Sequence, residues 1–393
     1  MKTERNYGAD LYRILAMVMI TVLHINNQHL HFLDENQPED IQFKGYLIEY
    51  ICYCGVNCFA ILSGFLHRPK PMDYDEKWFR KIFDFWGKCV LFGLIIYFSA
   101  TFVIPTINIE IKNIVFILCL INLWYVGAYF GLLLFLPLLS NIFSRISLRG
   151  QTFFFFITFS VFTLANVFKL SPETTSASLD RGYSILWLIV CFCWGQVLQN
   201  LAPYIFRLKY IVLFSITGVL IGAILPFLIY WYADPSLYTD SFLKNFDVDK
   251  FFLMNYTSPF CVLEAVSLLF LFLKFKITNK VIQKVLAFIS TYSFGIYLLQ
   301  CDPVVWKNFI KSKDYIPESQ SLIWWYFAAA VLGLFIAGIV LYFLISKIYD
   351  LCFPWAHKVC YTVIMYIFSF IKKVTDKFLL KSEISLPEDK GKG

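Results

Sequence analysis

Eleven positions separate Arg13 from His24 in "YRILAMVMITVLHI", a stretch that is otherwise apolar. An imidazole is the side chain that changes charge near neutrality, so His24 can accept a proton. A guanidinium stays charged and holds anions. At about 100° per residue, eleven helical steps return to within roughly 20° of the same face. The rise between the two is about 16 Å, half the hydrocarbon thickness of a bilayer. One helix face therefore carries a permanent cation at one end and a titratable base deeper in. Asp10 lies three residues before Arg13 and is spaced to hold its guanidinium by an i,i+3 pair. Snorkelling accounts for Arg13 taken alone, and an interfacial hydrogen bond for His24 taken alone. Their shared face argues that the pair works together.

Other polar residues interrupt apolar runs. Glu264, in "NYTSPFCVLEAVSLLF", should face the interior of a helix bundle, either beside an Arg or carrying a proton. Ser63 and Gly64, near the end of "CGVNCFAILSGFLHRPK", allow close backbone approach. Trp124 and Tyr125, opening "LWYVGAYFGLLLFLPLLS", suit an interfacial aromatic belt. The eleven Cys lie mostly inside apolar segments, and their C-x-C pairs lack the partners of a zinc site, so no metal is expected.

The elements that must position these residues are membrane helices. Of the 393 residues, 59% are hydrophobic and 16% charged, against about 25% charged in an ordinary soluble domain. Ten apolar stretches are long enough to span: 8–27, 48–66, 82–104, 114–143, 152–170, 183–200, 210–232, 252–273, 285–302 and 321–346. The stretch 114–143 exceeds one span, so the part before Asn122 reads as a short interfacial or re-entrant helix. The first stretch resembles a signal peptide, but it lacks an A-x-A site and Arg13 interrupts it. It reads as an uncleaved first span.

The net charge of +7 is distributed as the positive-inside rule requires, and no nucleic-acid-binding motif accompanies it. With the N-terminus inside, the inner loops hold Arg68, Lys70, Lys77, Arg80 and Lys81, then Arg145 and Arg149, Arg207 and Lys209, and Lys274 to Lys284. The outer loops, such as "HFLDENQPEDIQFK" and "ADPSLYTDSFLKNFDVDK", are acidic. The expectation is an all-α polytopic membrane protein, a bundle of about ten transmembrane helices with both termini in the cytoplasm. Residues 1–348 form the bundle. Residues 349–393 add a cytoplasmic-face amphipathic helix from "YDLCFPWAHKVCYTVIMYIFSFIKK", favoured over an eleventh span because Pro354 and His357 cut into it, and a loose polar tail. Neither an internal repeat nor an appended soluble domain is evident.

Taken together, these pieces resemble the membrane acyltransferase-3 family. "DLYRILAMVMITVLH" matches its D-x-x-R and R-x₁₀-H pattern, and "CFAILSGF" its "FFxLSGF" element, with Cys58 and Ala60 as departures. The basic turn "KWFRKIF", the "WY" element, "NYTSPFCVLEAVSLLFLF" and "STYSFGIYLLQCDPVVW" follow in order. Gln300 stands where the family usually carries His. The resemblance runs from residue 8 to about 346.

The resemblance implies a bacterial, multi-pass enzyme of the cytoplasmic membrane. It would carry an acetyl group from cytoplasmic acetyl-CoA to a hydroxyl of an extracytoplasmic sugar, such as an exopolysaccharide. Arg13, Arg68, Arg80 and Lys81 would hold the donor's phosphates, and Arg13 would also serve the catalytic step. His24 would act as general base; an acetyl-histidine intermediate is less economical. Asp10, Ser63, Gly64, Trp124, Tyr125 and Glu264 would support them. A homo-oligomer or partners in glycan synthesis are compatible with this. Two other readings share the features: a transporter or flippase for a polysaccharide or lipid-linked sugar, and a non-catalytic partner of a synthase.

Overall fold

A computed structural model describes residues 5–68, 70–164, 179–233, 253–312, 316–317, 319–352, 358–367, 369–370 and 373–374. Among these residues the regular structure is helical, with no strand. The chain is a multi-pass helical membrane protein. Eight helical stretches are long and apolar enough to cross a bilayer.

The first helix, α1 (Tyr7–Leu23), starts at Asn6, whose side chain accepts from the Gly8 and Ala9 N–H groups. It does not stop at Leu23. It continues as a π-helical turn from His24 to His29. Then come α2 (Glu39–Cys52) and α3 (Gly55–Leu66). Asp75 caps α4 (Glu76–Val103) by accepting from the Trp78 N–H. The short α5 (Ile111–Leu118) precedes α6 (Trp124–Arg145). Next are α7 (Leu148–Phe159), α8 (Ile185–Ile205), α9 (Ile211–Tyr232) and α10 (Pro259–Leu273). The series closes with α11 (Lys280–Tyr292), α12 (Phe294–Cys301) and α13 (Gln320–Cys352).

Eight of the ten expected spans coincide with the long apolar helices, and the other two are shorter within the described residues: Leu148–Leu164 and Pro259–Leu273. The stretch 114–143 is divided as expected, α5 standing apart from α6. The stretch 48–66 is longer than expected and broken. Its helix begins at Glu39, and Tyr53 and Cys54 form a turn between α2 and α3. Beyond Cys352 a shorter apolar helix covers Lys358–Ile367, and the polar tail from residue 375 lies outside the described residues.

Helix α1 is the hub. It packs against α2, α3, α10, α11, α12 and α13. Its neighbour α3 crosses α8 with the two backbones in contact. A Cβ at Gly64 would strike the Phe192 backbone, and one at Gly195 the Ile61 carbonyl and the Gly64 Cα. The notch at Gly64 is therefore a packing device that fixes α3 against α8. At the periphery, α9 leaves Leu213, Phe214 and Leu220 exposed, as α13 leaves Leu332, Ile336 and Val340. A bilayer accounts for such surface.

Candidate functional site

The π turn sets the position of His24, its first residue. Such turns recur at functional sites, where an extra residue re-aims side chains. The His24 Nδ1 is sealed from solvent and makes no hydrogen bond of good geometry, while the residue as a whole is only partly buried. The ring stands edge-on to Trp306, centroids 5.1 Å apart. Gln300 lies against it, fully buried, with neither amide atom in a hydrogen bond of good geometry.

His24 forms part of the wall of a cavity of about 500 Å³. Its polar lining consists of His24, Asn27, Gln28, Glu49 and Asn122. Glu49 is 3% exposed, and its carboxylate accepts from Asn26 Nδ2 at 2.8 Å and Asn27 Nδ2 at 3.4 Å. Much of the remaining wall is aromatic: Tyr53, Trp124, Tyr183, Tyr256, Tyr297 and Trp306. Those rings brace one another. Tyr53 and Tyr256 are 4.9 Å apart, Trp124 and Tyr183 4.7 Å, Tyr183 and Tyr256 5.0 Å. Asn57 on α3 ties the wall down, donating to the Tyr256 carbonyl at 2.8 Å and accepting from Trp187 Nε1 at 2.9 Å. Gly182, at φ +97°, makes the turn that presents Tyr183.

A second cavity, about 210 Å³, opens at the other end of the same helices. Arg13 of α1, Ser63 of α3, Lys81 of α4 and Tyr129 of α6 line it, with His67 just beyond α3. Arg13 donates from Nη1 to Ser290 Oγ at 3.0 Å. His67 Nε2 shares a 2.7 Å hydrogen bond with Ser140 Oγ. Burial, then the Lys81 and Lys70 ammoniums, push His67 from the usual 6.5 down to about 4. The ring is neutral at pH 7.

Between the cavities stand packed aromatic rings. Tyr125 and Tyr129 lie 6.3 Å apart, and Tyr125 is 5.6 Å from Tyr297 and 6.4 Å from Phe59. The Tyr125 N–H donates to the Tyr297 hydroxyl at 3.3 Å.

Several expected residues fall together and others do not. Arg13 and His24 serve different cavities, one at each end of the first span. Trp124 lines the His24 cavity, while Tyr125 belongs to the aromatic partition. Ser63 lines the Arg13 cavity, its Oγ donating to the Phe59 carbonyl at 2.8 Å. Of the four cations expected at one site, Arg13 and Lys81 share a cavity, whereas Arg68 and Arg80 are exposed and outside its lining.

The expected Asp10–Arg13 pair is replaced. Arg5 takes both carboxylate oxygens of Asp10, from Nε at 2.6 Å and Nη2 at 2.9 Å. The Asn6 cap turns the preceding chain back over the first helical turn, and the fork geometry of Arg5 matches the carboxylate. Glu264 faces the interior as expected, 1% exposed beside Cys54 and Cys58, with no ion-pair partner among the described residues.

Sequence reasoning missed Glu49, His67 and most of the aromatic wall. Glu49 had a signal, a carboxylate in the greasy "YLIEYICYCGV". The ring cluster had none, because its members come from five separate segments.

A family model described as an acyltransferase domain, the acyltransferase-3 model, matches residues 6–343. No curated protein and no solved structure matches the chain.

Proposed function

This chain belongs to the membrane acyltransferase-3 family, and from that premise we propose that it transfers an acetyl group from cytoplasmic acetyl-CoA to a sugar hydroxyl outside a bacterial cytoplasmic membrane. The observation that carries the reading is the pairing of cavities. A histidine lines an aromatic-rich cavity at one end of α1, and a cation-lined cavity occupies the other.

Arg13 and Lys81 bind the donor's phosphates; a guanidinium and an ammonium suit that anion. Arg68 and Arg80, in the basic loop and helix start that follow α3, draw the nucleotide towards the cavity mouth. The pantetheine arm passes Tyr129 and Tyr125, which must swing aside, and brings the thioester to His24. The acceptor sugar enters from outside and lays its C–H faces on the rings around the cavity, as amphipathic aromatics allow.

The hydroxyl oxygen attacks the thioester carbonyl carbon while His24 Nε2 takes the hydroxyl proton. For Nε2 to act as base the ring's own proton must sit on Nδ1, and Gln300, which lies against the ring, helps to hold it in place. The developing oxyanion receives N–H donation from the Gln28 and Asn122 amides. The carbon–sulfur bond breaks, CoA leaves as its thiolate, and the acetyl ester remains on the sugar. Ser63, at the far end from His24, stays with the donor.

The test is His24→Ala, expressed at equal membrane level, with O-acetyl on the surface glycan as the readout. Loss of a general base lowers the rate by about 10²–10⁴. Wild-type acetylation by the variant overturns the mechanism. The two-ended arrangement also suits a flippase for a lipid-linked sugar. A deletion strain separates the two: export retained with O-acetyl lost supports the enzyme, and lost export supports the flippase.

A further inference from the structure

A third cavity, about 370 Å³, adjoins the one that holds His24. The two share Asn122 and Pro303 in their linings. They differ in aromatic content. The His24 cavity is walled by rings, whereas Tyr97 is the one aromatic residue lining its neighbour. The neighbour carries amides and charged groups, Asn108, Glu110 and Asn113 on one side, Asp302, Lys307 and Asn308 on the other, with aliphatic side chains between them.

The first side is held in shape by a single hydroxyl. Tyr97 OH donates to the Asn108 carbonyl at 3.0 Å, and accepts from the Glu110 N–H at 2.9 Å and Asn113 Nδ2 at 3.3 Å. The other side is held by Asp302, whose Oδ1 caps the turn at the Val304 and Val305 N–H groups. Two pinned walls of side chains that both donate and accept hydrogen bonds suit a ligand covered in hydroxyls. Two carboxylates against one ammonium disfavour an anionic one.

We propose that this cavity is a subsite for the neutral sugar residue next to the one being acetylated, so that the acceptor is an oligosaccharide or polymer rather than a single sugar. The inference rests on the acyl-transfer reading and adds the acceptor's length and charge. A chain crossing from one cavity to the other passes Asn122 and Pro303. The reacting ring then sits among aromatics at His24 while its neighbour is gripped by amides.

The experiment uses the full chain in a lipid nanodisc with acetyl-CoA. The acceptors are oligosaccharides of graded length, prepared from the host's surface glycan after removal of its O-acetyl groups. We expect kcat/KM to rise about tenfold from the single sugar to the disaccharide, equivalent to one good charged or bidentate contact, with the gain in KM. In Asn108→Ala/Asn308→Ala the gain disappears. Asn308→Phe, which fills the cavity but keeps the Asp302 cap of the turn, giving up the Asn308 Nδ2 donation to the Val304 carbonyl, removes it too. Lys209→Ala, remote from every cavity described, keeps it. Equal kcat/KM at every length, or an undiminished gain in both cavity variants, overturns the subsite while leaving the enzyme. No transfer to any length overturns the acyl-transfer reading, and the subsite with it.

Discussion

His67 borders the cation-lined cavity and carries no charge at neutral pH, a state with a consequence for acid stability. Its folded pKa, about 4, lies below the usual 6.5. The unfolded chain therefore takes the proton first as pH falls. Stability contributed by the neutral ring is complete above about pH 6.5 and is lost as pH falls through about 4. His67→Gln keeps a partner for Ser140 and removes the titration. Thermal melting in detergent at pH 7 and pH 5 should show a drop for wild type that is smaller in the variant by about 2 °C. Equal drops would show that His67 does not drive the loss. At this scale the sequence was legible where a charge interrupts grease. Arg13, His24 and Glu264 announce themselves because an intramembrane charge is costly. The Arg5–Asp10 pair was not legible, since helix spacing favours Arg13 and only the folded cap brings Arg5 round. Nor was the closeness of His24 and Gln300, which lie on separate helical segments and meet only in the bundle.

At the scale of elements, hydropathy reports which segments are helical but not where they bend. The continuation of α1 as a π turn, the break at Tyr53 and Cys54 and the division of α11 from α12 have no Pro or Gly-Pro punctuation to announce them. Tertiary packing decides them, and each borders a cavity-lining residue: His24, Tyr53 and Tyr297 respectively. The crossing of α3 and α8 was half legible. Gly64 is visible beside Ser63, but its partner Gly195 is visible only once the helices touch. A side chain at Gly195 meets the Ile61 carbonyl and the Phe65 N–H, which are backbone and cannot swing away. Gly195→Val should therefore separate α3 from α8 and destabilise the bundle by about 1–3 kcal/mol, the range for overpacking. A thermal-shift measurement in detergent should find a lower Tm and less folded protein at equal expression. An unchanged Tm would mean the crossing is looser than the backbone contact indicates.

On the proposed mechanism the whole molecule separates donor from acceptor by end, and the loop charges predict which end faces the cytoplasm. Arg13, Lys81 and His67 lie at the end where the basic loops gather, and the His24 cavity with its neighbour lies at the end of the 104–110 loop. Donor and acceptor could not exchange ends without the cations facing the glycan. The orientation is thus a condition of the mechanism, and impermeant labelling tests it directly. Cys119 and Cys352 are exposed and must first become Ser, while most of the other cysteines are buried. Single reporters then go to Ile109, 60% exposed in the loop before α5, and Tyr210, 54% exposed between α8 and α9. Both are uncharged, so Ile109→Cys and Tyr210→Cys leave the basic bias intact. A membrane-impermeant maleimide should label the Ile109 reporter in whole cells or spheroplasts and the Tyr210 reporter only after permeabilisation. The reverse pattern would turn the Arg13 cavity outward, away from cytoplasmic acetyl-CoA, and with that the assignment of Arg13 to the donor would fall.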